Sequence, residues 1–84
     1  MREVRVPEEV LRNENAVEIL RVWAEPDGPQ RFAISGPVWK DPAGWGLLFA
    51  DIARFVSSVY ADEDGLPPNS TLERIVAGLK AELE

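Results

Sequence analysis

Two periodicities divide this chain. Between Val17 and Glu25, Leu20, Val22 and Ala24 fall on one face of an extended segment, and Ile19, Arg21 and Trp23 on the other. That is the period of two that a strand requires. Arg31 to Ser35 alternates again, with Phe32 and Ile34 on one side. Between the runs stands Pro26-Asp27-Gly28-Pro29. Pro fixes φ and Gly supplies positive φ, so this segment predicts a turn. A β-hairpin over residues 17–35 with a loop of about four residues follows.

From Trp45 to Tyr60 the period becomes helical. Trp45, Leu48, Phe49, Ile52, Phe55, Val56, Val59 and Tyr60 fill an arc of roughly 140–160°. Asp51, Arg54 and Ser58 lie opposite, with Leu47 the one large apolar residue among them. Asp41-Pro42 opens this helix, since Asp can take free backbone N–H groups and Pro loses nothing at the next position. The pattern predicts a helix near 42–61, a loop from Asp62 to Asn69, and a second helix over 71–83. Ser70 and Glu73 have capping-box spacing, and Leu72, Ile75, Val76, Leu79 and Leu83 form a narrower stripe. Gly78 interrupts that helix at about 1 kcal/mol, which predicts a close approach of another backbone there.

Residues 1–16 are polar and read as a partly ordered segment, with one helical turn at Pro7-Glu8-Glu9-Val10-Leu11. Val4-Arg5-Val6 could add a third strand at the hairpin's edge. The predicted fold is α+β, in the order β-β-α-α, with the hairpin packed on two α-helices. At 84 residues the chain is read as one domain, 1–84.

Composition narrows the chemistry. Such a short chain buries only about 60–65% of its unfolded surface, and small domains usually compensate with disulfides, a metal or oligomerisation. There is no Cys, so disulfides and thiolate metal sites are excluded. There is no His, the commonest metal ligand and near-neutral base. Association with a second chain is the remaining source of buried area, so a homodimer is expected. The net charge is −6. Residues 1–40 carry six basic and seven acidic side chains, and residues 41–84 three and eight. An acidic chain without a basic stripe is expected to bind neither nucleic acid nor anionic membranes. Met1 to Pro7 is mixed in charge and lacks the apolar stretch of a signal peptide, and no run approaches a membrane span. A cytoplasmic location is expected.

The segment Gly36-Pro37-Val38-Trp39-Lys40-Asp41-Pro42-Ala43-Gly44-Trp45-Gly46-Leu47-Leu48, followed by Ala50-Asp51-Ile52-Ala53, resembles a family of short bacterial proteins. That family is known only as a domain of unknown function. Glu18-Ile19-Leu20-Arg21-Val22-Trp23 is similar to the family's first strand. The resemblance covers roughly residues 16–83, and W-x-D-P-x-x-W-G is its distinctive run. It implies no activity, ligand or catalytic residues.

Four constellations merit weighing. Trp39 and Trp45 place two indoles at a helix start, where free N–H groups and the helix dipole favour an anion. The plainer account is a strand-to-helix corner in which Asp41 takes those N–H groups itself. Ile19, Arg21 and Trp23 share a strand face that helices on the other side cannot cover, so with Leu47 they are the expected partner interface. Asp62, Asp64, Gly65 and Glu73 have the outline of a calcium loop. The glycine comes fourth rather than sixth, and Leu66 and Pro68 stand at ligand positions, so a solvated acidic segment is the better reading. Asp51 and Arg54 read as a surface ion pair. Nothing resembles a phosphate loop, a dinucleotide fingerprint or a nucleophile elbow. No catalytic residue, metal or cofactor is assigned. The functional expectation is a small non-enzymatic homodimeric interaction module, with another protein as a further candidate partner. The alternative is a small-molecule binding protein or minor enzyme with its site at Trp39–Trp45.

Overall fold

The computed structural model describes residues 3–84 and divides into two compact units, Met1–Val38 and Trp39–Glu84. The element order is α1 (Glu8–Leu11), β1 (Leu20–Trp23), β2 (Arg31–Ile34), α2 (Ala43–Asp64) and α3 (Pro68–Leu83). This is an α+β arrangement, a two-stranded antiparallel hairpin followed by two helices.

In the first unit, α1 is the single turn that Pro7 and its two following acids suggest. Arg12 closes it with an exposed ion pair to Glu8 at 3.1 Å. The Asn13 carboxamide oxygen then accepts the N–H of Asn15 at 2.9 Å, turning the chain toward β1. The strands pair Leu20 with Ile34, Arg21 with Ala33, Val22 with Phe32 and Trp23 with Arg31. Directly paired residues share a face. Leu20, Val22, Phe32 and Ile34 therefore form one apolar face, and Arg21, Trp23, Ala33 and Arg31 the other. The apolar face stays open, with Phe32 64% exposed.

Two expectations for this unit fail. The strands are shorter than the alternation suggests, and their connection runs over residues 24–30 instead of about four. In the observed register Glu25 would face Pro29, which has no N–H to give the ladder, so pairing stops at Trp23. The turn itself is Glu25 to Gly28, closed by the Gly28 N–H to the Glu25 carbonyl at 3.1 Å. Asp27, not Gly28, adopts the positive φ, at 59°; Asp tolerates that region, and Pro at the preceding position fits a type II turn. The third strand is also absent. Val4 to Val6 runs as irregular chain, and the described sheet has two strands.

The second unit is an αα-hairpin. The Asp41 carboxylate accepts the Ala43 N–H at 3.0 Å, and its carbonyl accepts that of Gly44 at 3.0 Å. Trp39 folds back over this first turn. A Cβ on Gly44 would lie 2.8 Å from the Trp39 Cγ, so only glycine lets the indole settle there. Val38, just before, holds φ at 67°, a strained value for a β-branched residue.

Helix α2 continues through Asp64, so Asp62, Glu63 and Asp64 form its last turn rather than a loop. Gly65 ends it at φ 68°. The Gly65 N–H bonds to the Ala61 carbonyl at 3.1 Å, the bond of an αL cap, and the Leu66 N–H reaches the Tyr60 carbonyl at 3.4 Å. Helix α3 then starts at Pro68, earlier than the capping-box spacing suggests. Pro68 brings a preset φ and has no N–H to leave unpaired. The capping box does not form. Ser70 and Thr71 lie inside the first turn, where both hydroxyls donate to the Pro67 carbonyl, at 3.2 and 2.9 Å.

The two helices pack on each other. Along α2, Ala53, Ser57 and Ala61 recur every four residues and are covered; on α3, Thr71, Leu72 and Ile75 are half-buried. Ser57 is 3% exposed, and its hydroxyl donates to the Ala53 carbonyl at 3.0 Å. Small residues on one ridge let helix axes approach closely. The larger apolar side chains of α2 lie elsewhere on its circumference. No apolar residue among those described is fully buried. Gly78 meets open space, so the expected close backbone approach is not made within the chain.

Four variants test this packing at fixed protein concentration in urea. Gly44→Ala forces Trp39 aside and should cost about 1–3 kcal/mol, whereas Gly78→Ala should gain about 1 kcal/mol from helix propensity alone. Ser57→Leu overfills the helix contact and should lose about 1–3 kcal/mol. Ser57→Ala should move stability by less than about 1 kcal/mol, because the hydroxyl bonds only within its own helix.

Candidate functional site

The Trp39–Trp45 corner is a built feature of the second unit. The two rings meet edge to face, with centroids 5.3 Å apart and planes at 82°. Phe49, one turn on, lies 6.0 Å from Trp45 at 41°. Such edge contacts favour the positive rim of one ring against the negative face of another. Each indole thus already has an aromatic or backbone neighbour: Trp39 lies on Gly44 and against Trp45. Asp41 occupies the Ala43 N–H that an anion would seek. The corner is chemically an aromatic plug on a helix start. Lys40 is the cation adjacent in sequence.

The residues expected at a partner interface separate between the units. Ile19, Arg21 and Trp23 lie in the first, and Leu47 in the second. Ile19 precedes β1, and its carbonyl accepts the Ser35 N–H at 3.1 Å, extending the ladder by one bond. Ile19 and Trp23 are half-buried. Arg21 is engaged by carboxylates, at 2.8 Å to Glu18 and 3.6 Å to Glu3. The Glu18 hydrogen bond, the Glu18 charge and then the Glu3 charge raise the guanidinium pKa above its ordinary value. Leu47 is 70% exposed. Asp51 and Arg54 pair at 3.1 Å on the surface.

Two shallow depressions were not foreseen. In the first unit Glu3, Val4 and Val6 border a groove of about 260 Å³ with Leu20, Arg21, Val22 and Trp23. The alternation in Val4-Arg5-Val6 signals an extended segment there, though not one that pairs. In the second unit Tyr60, Leu66, Thr71, Arg74 and Ile75 border an open hollow of about 400 Å³. The left-handed turn at Gly65 creates it by bringing the Leu66 N–H back to the Tyr60 carbonyl. Arg74 has no ion-pair partner among the described residues, so the hollow is apolar with one cation at its rim. Among the described residues no group of three or more acids gathers to hold a metal ion. Asp62 and Asp64 are helical, and no helix of the chain is long and apolar enough to cross a membrane.

No curated protein matches this chain. A solved structure from the photosynthetic bacterium Rhodopseudomonas palustrus CGA009, provisionally described as a pyruvate dehydrogenase, is similar to it. The two are 37% identical, with a TM-score of 0.75, over 100% of this chain and 84% of that one. The description belongs to that protein, and nothing in the corner, the strand face or the hollow reproduces a recognisable catalytic constellation. The model of a family described as a domain of unknown function (DUF5076) matches residues 3–84, from the groove-lining N-terminal segment through α3, and to that family the chain belongs.

Proposed function

We propose that this protein is a non-enzymatic interaction module that acts as a homodimer. The observation that carries the reading is the lack of an apolar core: among the described residues no apolar side chain is fully buried, and Phe32, Leu47 and Phe55 are each about two-thirds exposed. Exposed apolar side chains in such number are what an association surface presents. With neither disulfide nor thiolate metal available, a second chain is the economical cover.

The alternative, a small-molecule binding protein or minor enzyme working at Trp39 and Trp45, draws less support. Those indoles contact each other and the backbone of Gly44, which leaves little free ring face for a ligand. Tryptophan fluorescence screened against metabolites addresses it: quenching lost in Trp39→Phe would favour the binding protein.

Size exclusion coupled to light scattering tests the homodimer. The expected mass is that of two chains at micromolar concentration. A mass of one chain up to high micromolar protein overturns the reading.

A further inference from the structure

The hollow at the turn end of the αα-hairpin has donors that nothing in the chain uses. Tyr60 borders it from α2, Leu66 and Pro67 from the connection, and Thr71, Arg74 and Ile75 from α3. Arg12, Arg21, Arg31 and Arg54 each pair with a carboxylate. Arg74 does not. Its helical neighbours at three and four residues are Ser70, Thr71, Ala77 and Gly78, none of them acidic. Among the described residues the Arg74 guanidinium and the Tyr60 hydroxyl have neither an ion-pair nor a hydrogen-bond partner. The Ser70 and Thr71 hydroxyls already donate to the Pro67 carbonyl, so they offer only lone pairs. No carboxylate borders the hollow, since Asp64 and Glu73 lie outside its lining.

These groups specify a ligand. A guanidinium presents parallel N–H donors that match the two oxygens of a carboxylate, and a phenol supplies one more. A single fixed cation suits a monoanion. Beyond the head, Leu66, Pro67, Ile75 and the Tyr60 ring call for hydrocarbon. A volume of about 400 Å³ lies at the small end of ligand sites. A peptide would need main-chain partners, and here the Leu66 and Thr71 N–H groups are already bonded to the Tyr60 and Pro67 carbonyls.

We propose that this hollow binds a small aliphatic monocarboxylate, with Arg74 and Tyr60 holding its head and Leu66, Pro67 and Ile75 its tail. The carboxylate gives Arg74 the counter-charge that its own helix lacks. The hydrocarbon covers side chains that water otherwise touches. The site lies within one chain and is distinct from the Trp39–Trp45 corner, so it does not depend on the homodimer.

Octanoate is the probe, titrated into the isotope-labelled full chain and followed by residue-resolved NMR. Shifts should concentrate at Tyr60, Leu66, Arg74 and Ile75 and saturate, with a midpoint near about 1 mM for a ligand of about ten heavy atoms. Octanamide has the same tail without the charge and should bind about tenfold more weakly or worse. Arg74→Gln should weaken octanoate by about tenfold or more, and Tyr60→Phe by about two- to tenfold. Both side chains are exposed, so neither substitution removes packing on which the helices rely. Octanamide binding as well as octanoate, or unchanged affinity in either variant, overturns the site. Shifts as large at Phe49 and Phe55 as at the hollow would mean adsorption to open apolar surface and overturn it too, as would the lack of any saturable shift.

Discussion

Burial is the constraint on which everything else here depends. A core needs elements enough to surround a side chain, and neither unit has them. A two-stranded hairpin has two faces and two edges, and is at best marginally stable alone. A pair of helices touches along one line and leaves most of each circumference in water. The result is a chain in which Ser57, a polar residue, is the only fully buried position among those described. Its hydroxyl is satisfied by the Ala53 carbonyl of its own helix, so it can sit at the tightest point without an unmet donor. The row Ala53, Ser57, Ala61 makes the helix contact close and thin. Most of the bulky side chains of α2 lie off that row, which is why so much apolar surface remains.

The types of the elements were legible because each carries a clean period. The alternation around Leu20 to Trp23 and the arc from Trp45 to Tyr60 leave little room for a different assignment. Their ends were less legible, because ends are decided by single bonds. Pairing of β1 stops where Pro29 would have to donate. Helix α2 overruns the acidic Asp62-Glu63-Asp64 because Gly65 can take the left-handed conformation only after them, although acids at a helix C-terminus oppose its dipole. At α3 two start signals compete. The Pro67-Pro68 pair wins over Ser70 and Glu73, since its preset φ acts a turn earlier and costs no hydrogen bond.

For the candidate site, the balance was similar. The corner at Trp39 to Trp45 could be read from Asp41-Pro42 and the glycine between the indoles, and Asp41 takes the N–H group that its spacing implies. The engagement of Arg21 by Glu18 and Glu3 was not readable, because Glu3 is distant in sequence and reaches β1 through an unpaired segment. The hollow beside Arg74 was hidden for a different reason. It exists only because the Leu66 N–H reaches back to Tyr60, a tertiary outcome of one glycine's backbone angle.

The solitary enclosure of Ser57 bears on how sequences of this family can drift. In a protein with an ordinary interior, substitutions are filtered mainly by whether one chain still folds, and that filter acts on many scattered positions. Here the isolated chain offers few such positions: a small-residue row, a glycine under an indole, a turn or two. Any further pattern of restraint among relatives, especially on large apolar side chains open to water, would record what the surface meets rather than what the interior holds. Comparing related sequences would thus trace how far the open apolar surface is itself under restraint.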